Sequence, residues 1–281
     1  MTKVEQLSAL MACLTERDRT VCHLLWEHRI MTTTQLSEVA FDGRLDRAKH
    51  RLVTLLRLDL LRGFRPLVDL GGDSSPYHYV LGEMGIEVVA AARGIPPRQL
   101  AYRVEDGLQL AHSQRLQHIV GINDVYADLV AGARRQPAGA ALTKWWSEWR
   151  CAEHWGAVVG PDAYGRWREA GIEGDFFLEY DRGTEATGQL ARKVADYATL
   201  AEGTELITPV LVWLPSTRRE AEVRRALDAA RSRDVPILTG HGAGDQGPVG
   251  AVWLPLGGER RMTLRALVLS HPRREAAADS R

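Results

Sequence analysis

Apolar residues in the amino-terminal third recur every three or four positions, the spacing of helices that bury one face. Val21, Leu24 and Leu25 continue with His28 at that spacing as far as Arg29, and Thr15 followed by Asp18 supplies an N-cap with an acidic first turn. A first helix is therefore predicted over 15–29. Thr32-Thr33-Thr34 is a second cap cluster, and it opens a short helix that ends at Asp42-Gly43. A third helix is predicted over 44–60, with Leu45, Ala48, Leu52 and Leu55 along one stripe. The pattern then turns strand-like over 61–68 and 77–81, on either side of the turn-rich stretch 71–76. Helix, short helix, helix and hairpin in that order predict an N-terminal winged helix-turn-helix domain over 1–95. A helix over 84–93 closes it before Gly94-Ile95-Pro96-Pro97.

Residues 96–106 read as a linker. Helical periodicity resumes over 108–133, with His112, Leu116, Val120 and Val125 turned inward. Beyond it, strand-like stretches at 143–150, 175–181, 207–214 and 250–254 alternate with helical patterns at 187–200 and 218–231. That alternation predicts an α/β domain over 107–272, so the fold class is α+β with two domains. The glycine-rich stretch 239–250 reads as a mobile loop, and 273–281, which lacks large apolar residues, as a disordered tail.

Composition adds little: 45% hydrophobic and 26% charged residues are ordinary for a water-soluble globular protein. The three cysteines, Cys13, Cys22 and Cys151, lie too far apart for a zinc ribbon or a disulfide framework. With no signal peptide at the amino terminus and no apolar stretch of membrane-spanning length, a cytoplasmic, nucleoid-associated protein is expected. Charge changes the picture more. The net charge is zero, which argues against a general nucleic-acid binder. Between positions 44 and 65, however, seven cations (Arg44, Arg47, Lys49, Arg51, Arg57, Arg62 and Arg65) face two acids, Asp46 and Asp59. A compact basic patch on a neutral molecule suits a module that docks on double-stranded DNA.

At about 100° per residue, Arg44, Arg47 and Arg51 fall within about 60° of one another and roughly 100° from the leucine stripe. Placed in the major groove, the third helix would bring Arg44 and Arg47 nearest the base edges, with Arg51 and Arg65 on phosphate. Lys49, His50 and Arg62 complete the expected DNA-binding set. A solvated helix face, or a winged helix that binds protein, are the competing readings. Winged-helix regulators often occupy paired half-sites as dimers, so a homodimer is expected.

The second domain concentrates its chemistry in carboxylates. In Phe176-Phe177-Leu178-Glu179-Tyr180-Asp181, alternate side chains share a face, which puts Glu179 and Asp181 together. Asp162, in Val158-Val159-Gly160-Pro161-Asp162-Ala163, adds a third oxygen donor if it borders the neighbouring strand. Asp162, Glu179 and Asp181 would then offer a site to Mg²⁺ or Mn²⁺. On the following helix, Leu190, Lys193, Val194 and Tyr197 recur at helical spacing, so Lys193 faces the sheet, where a lysine needs a partner.

The opening Leu14-Thr15-Glu16-Arg17-Asp18, the Pro161-Asp162-Ala163 turn, the run Glu179-Tyr180-Asp181-Arg182-Gly183-Thr184-Glu185 and a helix bearing Lys193 and Tyr197 together resemble the replication-relaxation family of actinobacterial plasmids and integrative elements. The resemblance covers roughly 14–214 and implies a DNA-associated protein of a mobile element or its chromosomal remnant, concerned with replication, transfer or transcriptional control. The second domain is also similar in pattern to PD-(D/E)xK nucleases, a restriction-endonuclease-like fold. In that likeness Asp162 matches the first acid and Glu179 the second. The position two residues after Glu179 should hold lysine and holds Asp181, which leaves Lys193 as a relocated lysine. The helix over 108–133 would contribute Asp124 or Asp128.

Three readings share these residues: an ion-pair network that only fixes the fold, a non-cleaving DNA platform, and a metal-dependent nuclease or nickase with Asp162, Glu179, Asp181 and Lys193 as its catalytic set. The expected function is sequence-specific DNA binding in a regulatory or accessory role, with the nuclease as the alternative. His154 and His241 are lesser metal-ligand candidates. Trp145, Trp146, Trp149, Trp155 and Trp167 are candidates for stacking on single-stranded bases or, more simply, for a core or a dimer interface. Gly240-His241-Gly242-Ala243-Gly244 lacks the context of a nucleotide-binding loop.

Overall fold

The computed structural model describes residues 3–66, 76–137, 139–184, 186–204, 207–229, 235–242 and 246–273. It is an α+β protein whose chain divides into two compact units, Met1–Ala127 and Asp128–Arg281. The division falls inside a helix, not in the stretch 96–106 read as a linker, which holds a 3-10 turn and the start of another helix.

The first unit opens with α1 (Lys3–Cys13), which sequence periodicity did not single out, and α2 (Glu16–His28). A capping box starts α2: Thr15 accepts from the Asp18 amide, and Asp18 accepts from the Thr15 amide at 2.8 Å. The device recurs at α3 (Thr33–Ala40), where Thr32 and Gln35 exchange the same bonds after the two-residue strand β1 (Met31–Thr32). Each box satisfies amide groups that a helix start would leave orphaned. Asp42 and Gly43, both at positive φ, turn the chain into α4 (Leu45–Arg57).

Two short strands, β2 (Leu61–Phe64) and β3 (His78–Leu81), pair antiparallel, with Leu61 opposite Leu81 and Phe64 opposite His78. β1 joins the other side of β3, giving the order β1-β3-β2. The stretch 71–75 predicted at the hairpin tip lies outside the described residues. Val21, Cys22, Leu25, Ile30, Leu36, Leu52, Leu55, Leu60 and Leu61 are fully buried, each large aliphatic side chain stabilising by roughly 1.5–3 kcal/mol. Leu45, expected on that stripe, is 39% exposed.

α5 (Glu83–Arg93) lies against the turn between α4 and β2 so closely that a Cβ on Gly85 would stand 2.2 Å from the Leu60 carbonyl oxygen. α6 (Val104–Gln109), a 3-10 turn (Leu110–His112) and α7 (Leu116–Arg135) follow. The single helix predicted over 108–133 is thus interrupted.

The second unit is built on a six-stranded mixed sheet, β4-β5-β6-β7-β8-β9. β4 (Ala140–Ser147) ends where α8 (Glu148–Trp155) begins, so the strand expected over 143–150 is shared between two elements. β5 (Ala163–Glu169) and β6 (Ile172–Tyr180) continue an antiparallel meander. The chain then crosses over through α9 (Thr187–Thr204) to the parallel β7 (Val210–Leu214), and through α10 (Thr217–Ala229) to the parallel β8 (Ile237–His241).

β8 corrects the expectation of a mobile loop from 239 onward. Thr239, Gly240 and His241 are buried strand residues, and the glycine permits close approach of the Trp253 ring. β9 (Leu254–Pro255) is shorter than the strand expected at 250–254, and α11 (Leu264–Ser270), which was not foreseen, packs against β5 and β6. Residues 274–281 of the predicted tail lie outside the described residues. The face under α9 and α10 is filled by Phe177, Val194, Tyr197, Val212, Leu214, Val223 and Leu227. No helix among the described residues is long and apolar enough to cross a membrane.

Gly85→Ala is expected to force α5 away from the Leu60 carbonyl and destabilise the first unit by about 2 kcal/mol. An unchanged denaturation midpoint would show that the approach is not confining.

Candidate functional site

In the first unit the candidate nucleic-acid interface is α4 with the foot of the β2–β3 hairpin. Arg44, the N-cap of α4, is exposed, as are Arg47, Lys49, His50, Arg57, Arg62 and Arg65. Arg62 lies 2.7 Å from Asp59 across one turn, an exposed pair of small energetic consequence. Arg51 differs. It is half-buried, and its Nε and Nη2 donate to the two oxygens of Asp18 at 2.7 and 2.5 Å. Asp18 itself is fully buried.

Burial alone would raise the Asp18 carboxyl, but the hydrogen bonds from Arg51 and Thr15 outweigh it and hold the group below its usual range. The arginine that the sequence reading assigned to phosphate is therefore tied into the α2 capping box. The signal was present in Thr15-Glu16-Arg17-Asp18, but it read as local capping, because a partner 33 residues away leaves no trace in spacing.

In the second unit, the pairing of β5 with β6 brings Asp162, just before β5, beside Glu179. Asp162 Oδ2 accepts the Tyr180 backbone N–H at 2.7 Å. Lys193, from α9, donates to Glu179 Oε2 at 2.5 Å and stands 3.5 Å from Asp162 Oδ1. Tyr197, one turn further along α9, donates to Glu179 Oε1. The ammonium thus sits between the two carboxylates, where a metal ion would otherwise bind both.

Burial and the neighbouring Asp162 charge push Glu179 up to about 8, against the pull of Lys193 and Tyr197. Burial works to lower Lys193, but the two carboxylates overcome it and raise its affinity for the proton. With both acids ionised the trio carries one net negative charge; a proton on Glu179 makes it neutral.

Asp181 leaves this group. It accepts from Arg219 Nε at 2.9 Å, and its other oxygen accepts the Gly183 amide. The three-carboxylate metal site expected from Asp162, Glu179 and Asp181 is therefore not assembled, since strand alternation puts Glu179 and Asp181 on one face while each turns to a different cation. Among the described residues no group of three His, Cys, Asp or Glu side chains could hold a metal ion.

Arg219, on α10, was not singled out from sequence, nor was the network beside it. There Glu220 accepts from Arg261 Nη2 at 2.5 Å and from Thr239 at 2.7 Å, with His241 3.4 Å away. Burial opposes ionisation of Glu220, but the bonds from Arg261 and Thr239 prevail and lower it. His241 thus lies beside the Glu220 network, while His154 bonds the Arg150 carbonyl one turn back and stacks on Trp146. Trp146 and Trp155 pack with Tyr164 at ring distances of 5.1 and 5.3 Å, and Trp167 is fully buried, so these rings belong to the core. Asp124, in the first unit, accepts from Gln35 Nε2 at 2.7 Å.

A family model described as replication-relaxation matches residues 23–211, well over half of the sequence. The chain belongs to the replication-relaxation family. The matched span takes in α4, the hairpin, Asp162, Glu179, Asp181 and Lys193, and stops short of Arg219, Glu220 and His241. The replication-relaxation match thus covers the Asp162–Glu179–Lys193 trio but not the arginine that holds Asp181. Neither the curated proteins nor the solved structures gave a match.

Two measurements separate structural from interfacial side chains. Arg51→Ala leaves Asp18 buried without its cation and should cost about 2 kcal/mol after allowance for the partial exposure of Arg51; Arg47→Ala should change stability by less than about 0.5 kcal/mol. Equal losses in urea denaturation would contradict this division. For Glu179 the folded-state pKa lies above the unfolded value of about 4.3. Its contribution is therefore complete below that value and lost as pH rises through about 8. The stability of the wild type relative to Glu179→Gln should fall between roughly pH 5 and 8; a gap independent of pH would show that Glu179 stays ionised throughout.

Proposed function

We propose that this replication-relaxation protein binds double-stranded DNA through α4 and the β2–β3 hairpin, used as a winged helix-turn-helix, and acts as a regulatory or accessory factor in the replication or transfer of a mobile element. One observation carries the reading: α4 and its N-cap expose Arg44, Arg47, Lys49, His50 and Arg57 on a chain of zero net charge, with Arg62 and Arg65 exposed on the adjoining hairpin. Such a surface neutralises phosphates and releases counterions on docking. Family membership supports the context. Two copies on paired half-sites are the expected stoichiometry.

A second reading, metal-dependent cleavage by a restriction-endonuclease-like second unit, is favoured by the convergence of Asp162, Glu179 and Lys193. Against it, Lys193 Nζ fills the point between the two acids, and Arg219 engages the third. We therefore assign the second unit a non-cleaving role, with its carboxylates balanced internally. Mg²⁺ or Mn²⁺ belongs only to the nuclease reading, where Asp162 and Glu179 would hold it and Lys193 would orient the attacking water.

Fluorescent duplex and supercoiled DNA, incubated with EDTA or with Mg²⁺ or Mn²⁺, decide between the two. Metal-independent binding should weaken roughly tenfold or more in Arg44→Ala/Arg47→Ala, with the salt dependence shallower by about two phosphate contacts and the DNA left intact. Nicking that needs metal and disappears in Glu179→Ala would replace the regulatory role with an enzymatic one, and no binding to any duplex would end the DNA reading.

A further inference from the structure

Six large hydrophobic side chains are exposed among the described residues: Leu45, Val53, Leu58, Val158, Ile207 and Leu269. Three of them, Leu45, Val53 and Leu58, belong to α4 or its C-cap, the same short helix that carries the exposed cations. Isolated exposed aliphatics are ordinary on a protein surface, but half of the set on one basic helix is a concentration that needs a cause.

The azimuth of α4 singles out Val53. Ala48, Leu52 and Leu55 are buried and define the packed side. At about 100° per residue, Asp46, His50, Val53 and Arg57 lie on the opposite side, with Lys49 beside them, whereas Leu45, Arg44 and Arg51 lie nearer the packed side. Val53, at 43%, is the most exposed of Leu45, Val53 and Leu58, and Arg51 is engaged with Asp18. The outermost strip of the helix is thus an aliphatic side chain with Lys49 one turn before it, Arg57 one turn after it, and Asp46 and His50 alongside.

A protein-docking surface gathers apolar area into a continuous patch. Here a single pair of methyl groups is framed by cations, and the complementary surface is an isolated methyl between rows of negative charge. The major groove presents that at thymine, whose C5 methyl projects between the phosphate backbones. Resting on the reading that α4 enters the major groove, we infer that Val53 is a specificity-determining residue that packs on a thymine methyl. Lys49 and His50 are placed to donate to guanine, and Asp46 to accept from cytosine. Arg44, nearer the packed side, then serves phosphate more than base edges, while Arg47 stands beside His50 on the outer side, which revises the assignment made from helical spacing alone.

The test uses full-length protein and duplexes enriched by it from a randomised library, resynthesised with deoxyuridine in place of thymidine at one position at a time. At one or two positions, loss of the methyl should weaken wild-type binding by roughly three- to tenfold. Val53→Ala should bind the thymidine and deoxyuridine forms equally, with a melting temperature within a few degrees of wild type, since Val53 is 43% exposed. Duplex binding that ignores every methyl, or discrimination that survives in Val53→Ala, defeats this inference while leaving the DNA-binding reading intact. Failure to enrich or bind any duplex defeats both.

Discussion

A carboxylate removed from water must meet a cation or take up a proton, and that constraint organises the buried acids of this protein. The five buried acids among the described residues are Asp18, Asp162, Glu169, Glu179 and Glu220. Each has a lysine or arginine nitrogen within 4.0 Å: Arg51, Lys193, Arg265, Lys193 again and Arg261. In the first unit the pair fixes α4 to the start of α2. In the second, one lysine holds the beginning of β5 against β6 and both against α9. A chain with equal numbers of acidic and basic residues has little net charge to direct outward unless some cations are left without internal duties. Among the described residues, the exposed Arg47, Lys49 and Arg57 of α4 are the clearest such set.

Lys193 shows why a cluster of acids is a poor guide to metal binding by itself. Two carboxylates brought together need positive charge, and an ammonium supplies half of what a divalent ion would while demanding no coordination geometry, the remainder being met by the raised proton affinity of Glu179. The lysine also leaves the acids unequal. Glu179 is the more deeply buried and is driven toward its protonated form, whereas Asp162 accepts a backbone N–H. An arrangement of this kind holds strands and helix in register. Generating a nucleophilic water would require the ammonium to withdraw from between the acids.

Local signals carried much of this into the sequence, and non-local ones did not. The helices α2, α3 and α4 and the hairpin were legible because caps, turns and apolar periodicity are written within a few residues of one another. Lys193 was legible as an inward-facing lysine because α9 is long and regular. β8 was misread because Thr239-Gly240-His241 opens a glycine-rich stretch, and glycine admitted by a neighbouring Trp253 ring looks the same in sequence as glycine in a loop. α11 and β5 were missed for lack of a strong period. The partners of Asp18 and Asp181 come from elements 33 and 38 residues away, and nothing in a single sequence marks such pairs.

The same non-local pair decides which side of α4 faces outward. Counting cations on a helical wheel makes Arg44, Arg47 and Arg51 one face, yet a wheel has no fixed zero until something anchors it. The bidentate contact of Arg51 with Asp18 is that anchor, and with Ala48, Leu52 and Leu55 it occupies a continuous arc of the helix. A rotation of one residue, about 100°, would carry Val53 toward the core and expose Arg51, at the cost of an unpaired buried carboxylate at Asp18. The identity of the outward residues is therefore set jointly by the buried Ala48, Leu52 and Leu55 and by the ion pair beside them. On the proposed DNA-binding reading, recognition would depend on which arginine is turned inward as much as on which side chains are left outside.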